Sequence, residues 1–214
     1  TADPRSYHAY LAQRPDEMEV EAIRQVIELV REIGTRAHIV HLSSAKALPM
    51  IEQAKLDGLP LTVETCPHYL CLEAERIEDG QTRAKCAPPI RHRENREALW
   101  AAVQSGLIDF VTSDHSPCVP SLKGLDHGHF EEAWGGISSL QLGLPLVWTE
   151  WQARGGSPKD LGHWFGAAPA AWLGLEKKGH LAVGMDADFC IWDPDASFQV
   201  NKETFYVKHP VSPY

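Results

Sequence analysis

The sequence lacks any run of about 18 consecutive apolar residues, the length a membrane-spanning helix needs, so nothing in its 214 residues reads as a membrane span. It also lacks a basic excess. Lys and Arg number 20 against 29 Asp and Glu, a formal net charge of −9, whereas a nucleic-acid footprint needs basic side chains clustered on one face. Neither nucleic acid nor membrane is expected as a partner, and a small neutral substrate fits better. Cysteine is sparse and unframed: the five, at 66, 71, 86, 118 and 190, are odd in number and show no disulfide spacing, which points to reduced thiols and the cytoplasm. Cys66 and Cys71 flank His68, but no second Cys/His pair follows at finger-like spacing, so no structural zinc is expected there. The amino terminus, Thr1-Ala2-Asp3-Pro4-Arg5, has neither a basic start, an apolar segment nor an initiator Met. The chain is therefore expected to begin inside a larger protein.

What is present is enough apolar content, 43%, to bury a sizeable core. Apolar residues recur at Val20, Ile23, Ile27 and Val30, and Gly34 follows, which predicts an amphipathic helix over 17–33. The short run Ala37 to His41 reads as a buried strand. Ser43 and Ser44 are placed to cap a helix carrying Leu48, Met50, Ile51, Ala54 and Leu56 and stopping at Asp57-Gly58, with Pro49 in its first turn. A second strand is expected over 61–64, a helix over 94–105 closed by Gly106, and a third strand over 108–112. Such alternation builds a parallel sheet with crossover helices, and ligands sit beyond the strands' carboxyl ends. Downstream, Ser157-Pro158 opens a helix towards Leu173-Gly174. Residues 178–192 switch to turn residues and short apolar alternation, as in a small β unit.

Each expected strand ends in reactive side chains: His41-Leu42-Ser43-Ser44, Glu64-Thr65-Cys66-Pro67-His68-Tyr69, and Ser113-Asp114-His115-Ser116-Pro117-Cys118. A hydrolytic metal site needs imidazoles and carboxylates converging on a cation, and His41 and Asp114 are suitable donors at two strand ends. Either one alone is more readily explained as a hydrogen-bonded core residue.

These motifs, with Cys86-Ala87-Pro88-Pro89-Ile90-Arg91, Trp134-Gly135-Gly136-Ile137 and Gly184-Met185-Asp186-Ala187-Asp188 in the same order, resemble the cyclic amidohydrolases along essentially the whole chain. The resemblance implies an α/β fold, namely the C-terminal part of a (β/α)8 TIM-type barrel (about strands 6 to 8) over 1–177, with part of a small β-sandwich domain over 178–214. It implies two divalent metal ions bridged by a carboxylated lysine, zinc first, with cobalt, manganese or iron suiting the same donors. His41, ending the sixth strand, would bind one metal. Asp114, ending the eighth, would bind the other and act as general base. The backbones at Cys86 and Ser116 would face the amides of a cyclic ureide, with Trp134 beside the pocket. A homo-oligomer, a tetramer in relatives, is implied for the intact enzyme.

His68 and His115 match no ligand position. His127-Gly128-His129 shares the one-residue spacing of the family's paired metal histidines, but follows Asp114 in a Gly-rich stretch and is expected to be surface loop. The first-strand His pair, the carboxylated lysine and the fifth-strand His have no counterpart here. The isolated chain is therefore expected to hold no metal pair and to have no turnover. Cys118 stands where a dihydroorotase would carry a substrate-binding His, which disfavours that activity. Hydantoinase or dihydropyrimidinase activity, and a non-catalytic scaffold that has lost its ligands, stay open.

Overall fold

The computed structural model describes residues 3–214. A short helix that periodicity did not reveal, α1 (Tyr7–Ala12), is capped by Ser6, whose hydroxyl accepts from the Ala9 amide. The amphipathic helix α2 (Asp16–Ile33) buries Ile23, Ile27 and Val30, as its apolar stripe predicts. It stops at Gly34, in the left-handed region at φ +72°, where glycine carries no Cβ penalty. Then follow β1 (Ala37–Ile39), α3 (Leu48–Leu56), β2 (Leu61–Thr65), α4 (Pro67–Cys71), α5 (Arg93–Ser105) and β3 (Phe110–Val111).

The strands form one parallel sheet in the order β1-β2-β3. Ala37 pairs with Leu61 and Ile39 with Val63, while Glu64 pairs with Phe110 and Thr65 with Val111. The sheet is thus α/β with helical crossovers, as the alternation predicts. Along β2 the side chains alternate: Leu61, Val63 and Thr65 are buried, Thr62 and Glu64 half-buried. The apolar face joins Ile51, Ala54, Leu99 and Val103 from α3 and α5 in the core. The other face carries a polar row: His38 lies 2.8 Å from Thr62 Oγ1 and 3.1 Å from Glu64, and the Thr112 hydroxyl donates to Glu64 at 2.7 Å.

The turn after β1 is not held by serine caps. The amides of Ser43 and Ser44 donate instead to the Glu19 carboxylate of α2, at 2.8 and 3.0 Å, and Ser44 Oγ donates to Asp16. The buried Arg91 guanidinium lies 3.1 Å from Asp16 and 3.2 Å from Glu19. Asn95 of α5 completes the turn, accepting from the Ala45 amide at 2.7 Å and donating to the Ser43 carbonyl at 2.8 Å. Capping was the expectation because Ser precedes the helix; the Ser44 hydroxyl instead donates to the charged Asp16 carboxylate, a strong acceptor.

Further along come α6 (Gly143–Ala153), α7 (Pro158–Gly162) and α8 (Ala168–Leu173). Ser157 and Asp160 form a capping box at the start of α7, and a π-helical turn over His163–Ala167 joins it to α8. The β unit expected over 178–192 is not formed: among the described residues 178–214 carry turns and bends and no strand. Leu181, Val183, Phe189 and Ile191 lie exposed, since a strand needs a hydrogen-bonded neighbour to persist.

Burial alone would raise the Asp16 carboxyl, but the Ser44 hydroxyl, Arg91 and Lys46 outweigh it and hold Asp16 below its ordinary value. A depressed carboxylate stabilises the fold above its unfolded pKa and loses that contribution as the pH falls through its folded value. Thermal denaturation between about pH 4 and pH 2 should therefore show a steeper loss of Tm in the parent than in Asp16→Asn. Equal slopes would mean that the pairing adds nothing.

Candidate active site

β1 and β3 both end in a strained turn. His41 and Asp114 each have φ +41°, and among the described residues they are the only non-glycine residues in the left-handed region. Such a backbone costs about 1–2 kcal/mol per residue and persists only where the surroundings over-determine it. Here the parallel ladder runs past the strands: the Leu42 amide donates to the Glu64 carbonyl at 2.8 Å, and the Thr112 amide to the Thr65 carbonyl at 3.0 Å. Thr65 Oγ1 donates to the Leu42 carbonyl at 2.7 Å. Burial alone would raise the Glu64 carboxyl, but His38, Thr112 and the nearby His41 backbone hold it below its usual range.

The end of β2 contributes two donors for which sequence reasoning found no role. Donor atoms of Cys66, His68 and Asp114 lie within 4.8 Å of one another. Both ring nitrogens of His68, and His41 Nδ1, are buried without a hydrogen-bond partner. Burial first, then the nearby His41 and Lys123, push the His68 imidazole down to about 3, so it is neutral at physiological pH. Burial, reinforced by Asp114 and Glu64, keeps Cys66 a thiol. The signal was available, because Cys66-Pro67-His68 occupies at β2 the position that His41 and Asp114 occupy at their strands. His115 is an anchor: its Nδ1 accepts from the amides of Ser139 and Leu140, both at 3.1 Å.

Ser116 and Trp134 meet. Trp134 Nε1 donates to Ser116 Oγ at 3.2 Å, and the Ser116 amide donates to the Ile137 carbonyl at 3.0 Å. Gly136 makes the contact possible, since a Cβ there would sit 2.3 Å from Ser116 Oγ and 2.8 Å from Trp134 Nε1. Cys86 is buried, its thiol pushed up to about 12 chiefly by that burial, and its carbonyl accepts from the Tyr10 hydroxyl at 2.8 Å. A groove of about 500 Å³ opens beside β1, lined by Met18, His38, His41, Pro88 and Arg91 among others. Asp114, Ser116 and Trp134 do not line it, so it belongs to the flank of the sheet.

Two buried lysines, both missed in the sequence, clamp the loop that carries Trp134. Lys123, 2% exposed, donates to three carbonyls: Lys85 at 2.9 Å, Trp134 at 2.9 Å and Gly136 at 2.5 Å. Burial draws its ammonium down to about 8. Lys85 answers from the other side, donating to the carbonyls of Glu131 and Ala133 at 3.1 and 2.6 Å. An isolated Lys in a polar stretch gives no sequence sign of such burial.

Two substitutions test this arrangement. Lys123→Met leaves three buried carbonyls without a donor and should cost about 3 kcal/mol in denaturant unfolding; a cost near zero would mean that the clamp is idle. Gly136→Ala should cost about 1–3 kcal/mol through overpacking and break the Trp134 to Ser116 contact, visible as a change in the Trp134 indole N–H resonance.

The amidohydrolase family model matches residues 8–213. The chain is 45% identical to an allantoinase of Arabidopsis thaliana over 97% of its own length and 43% of that protein. An allantoinase of Saccharomyces cerevisiae is 44% identical over 98% of the chain and 46% of that protein. The chain thus spans less than half the length of these curated relatives. Among solved structures, the L-hydantoinase (dihydropyrimidinase) of Arthrobacter aurescens superposes with a TM-score of 0.87 at 30% identity, over 97% of this chain and 47% of that one. A D-hydantoinase of a Bacillus species gives 0.87 at 31%, over 99% and 47%. With a family model matched from His8 to Pro213, and strand ends tipped by His41, His68 and Asp114, the chain belongs to the amidohydrolase family.

Proposed function

We propose that the chain is the C-terminal part of a metal-dependent cyclic amidohydrolase that opens the ring of a cyclic ureide, allantoin before others, to a linear acid. The observation that carries this reading is the pair of strained strand ends at His41 and Asp114, because backbone strain concentrates where side chains must be aimed. In this reading β1, β2 and β3 are the sixth, seventh and eighth strands of a barrel within residues 1–177, and 178–214 lead into a β-sandwich. Allantoinase relatives at 44–45% identity support the substrate. No described helix is long and apolar enough to cross a membrane; a cytoplasmic homo-oligomer is the proposed form.

The donors fit divalent cations. His41 offers a buried nitrogen with no other partner, and Asp114 stands beside Cys66 and His68. His41 would hold one cation and Asp114 the other, zinc before cobalt, manganese or iron, with a carboxylated lysine from elsewhere in the protein between them. Bound metals supply an acidified water and a polarised ring carbonyl. Asp114 accepts at its carboxylate the proton that the attacking water sheds, then delivers it to the departing ring nitrogen. The backbones at Ser116, through its carbonyl, and at Cys86 would face the ring amides, with Trp134 holding the Ser116 side chain. Cys118, half-buried and neutral because burial raises its thiol, offers no cation to a substrate carboxylate, which argues against dihydroorotate.

Steady-state kinetics on the full-length protein test this. Allantoin should have a higher kcat/KM than hydantoin, dihydrouracil or dihydroorotate, and Asp114→Asn should lower kcat by about 10²–10⁴-fold. Preference for hydantoin or dihydrouracil, or an Asp114→Asn variant with parental turnover, would refute it.

A further inference from the structure

A second group of metal-binding side chains lies outside the strand-end cluster. Donor atoms of His127, His129 and Glu132 lie within 4.8 Å of one another on the surface loop between Lys123 and Trp134. The Glu132 carboxylate reaches both rings, at 3.1 Å from His129 Nδ1 and 3.9 Å from His127 Nε2. Asp126 lies 3.7 Å from the same His127 nitrogen. Donors around a cation at bond lengths near 2.1 Å stand roughly 3 to 3.5 Å apart, so the set needs little rearrangement.

The loop is shaped around these rings. Gly128 sits at φ +74° with its Cα face against Gly80, where a Cβ would meet Gly80 Cα at 2.8 Å. Gly124 leaves the space that His127 fills, since a Cβ there would lie 2.7 Å from the ring. The two imidazoles pack edge to face at 4.6 Å and are about one-third exposed (34% and 35%), held yet reachable from solvent.

We propose that His127, His129 and Glu132 form a peripheral divalent-cation site, with Asp126 as a fourth donor, distinct from the strand-end cluster. Two imidazoles and a carboxylate with open positions suit zinc, nickel or copper more than magnesium or calcium. The His129 amide donates to His127 Nδ1 at 3.0 Å, which places the proton of neutral His127 on Nε2. Loading the cation at Nε2 moves that proton to Nδ1 and opens this one hydrogen bond. The site therefore reports its own occupancy through the His129 amide.

The test is calorimetric titration with zinc alone in a His41→Ala/Cys66→Ala/His68→Ala/Asp114→Ala background, which removes the strand-end donors from the measurement. One equivalent should bind there. Adding His127→Ala/His129→Ala should abolish binding, and Glu132→Gln should weaken it at least about tenfold. If the background variant does not fold, the parent is titrated by NMR, and the His129 amide should shift with the zinc taken up by the loop. Zinc binding unchanged by the histidine substitutions, or a His129 amide indifferent to zinc, would show that Glu132 merely pairs with the imidazoles and would overturn the proposal. Neither outcome depends on whether allantoin is the substrate.

Discussion

The parallel ladder that continues beyond β1 and β3 is the constraint on which the rest of this structure depends. Strands of three and two residues are too short to be stable by themselves, yet their register fixes where the chain must turn. The hydrogen bonds from Leu42 to Glu64 and from Thr112 to Thr65 sit one or two residues from the two left-handed turns. They place His41 and Asp114 on the same rim of the sheet, on either side of the end of β2. Glu64 serves both the ladder and the rim, its carbonyl accepting from the Leu42 amide and its carboxylate from the Thr112 hydroxyl.

Around that rim the supporting contacts come from distant parts of the chain. Asp16 and Glu19 brace the turn behind His41, with Arg91 neutralising the pair of acids from a third segment. Lys123 and Lys85 brace the loop behind Trp134. Both devices place a buried charge where it satisfies backbone groups, which is how a polar turn can sit against a packed core without stranding its amides and carbonyls. The rim is built from strand ends at His41 and Asp114 and from a loop at Trp134.

Much of this was legible in the sequence for a simple reason. Helix periodicity, the glycines at 34 and 106 and the short runs at 37–41, 61–64 and 108–112 are local signals, and the structure follows them within a residue or two. His41 and Asp114 drew attention because they stand at or just beyond the ends of such runs. What was not readable depends on residues far apart in the chain: Glu19 displacing Ser43 and Ser44 as the turn's anchor, and Lys123 finding three carbonyls. The alternation over 178–192 misled for the same reason, since an apolar pattern proposes a strand but only a neighbouring strand makes one.

Lys123 recognises main chain, and that has an evolutionary consequence. Its three acceptors are carbonyls of Lys85, Trp134 and Gly136, which every amino acid carries, so the clamp places no demand on the identity of the side chains along 124–133. It places a strict demand on the path. Substitutions at its exposed positions leave the acceptors where they are, while a single inserted or deleted residue moves one out of reach. A segment under such control can diversify its surface chemistry, histidines included, without losing the position of the tryptophan at its end.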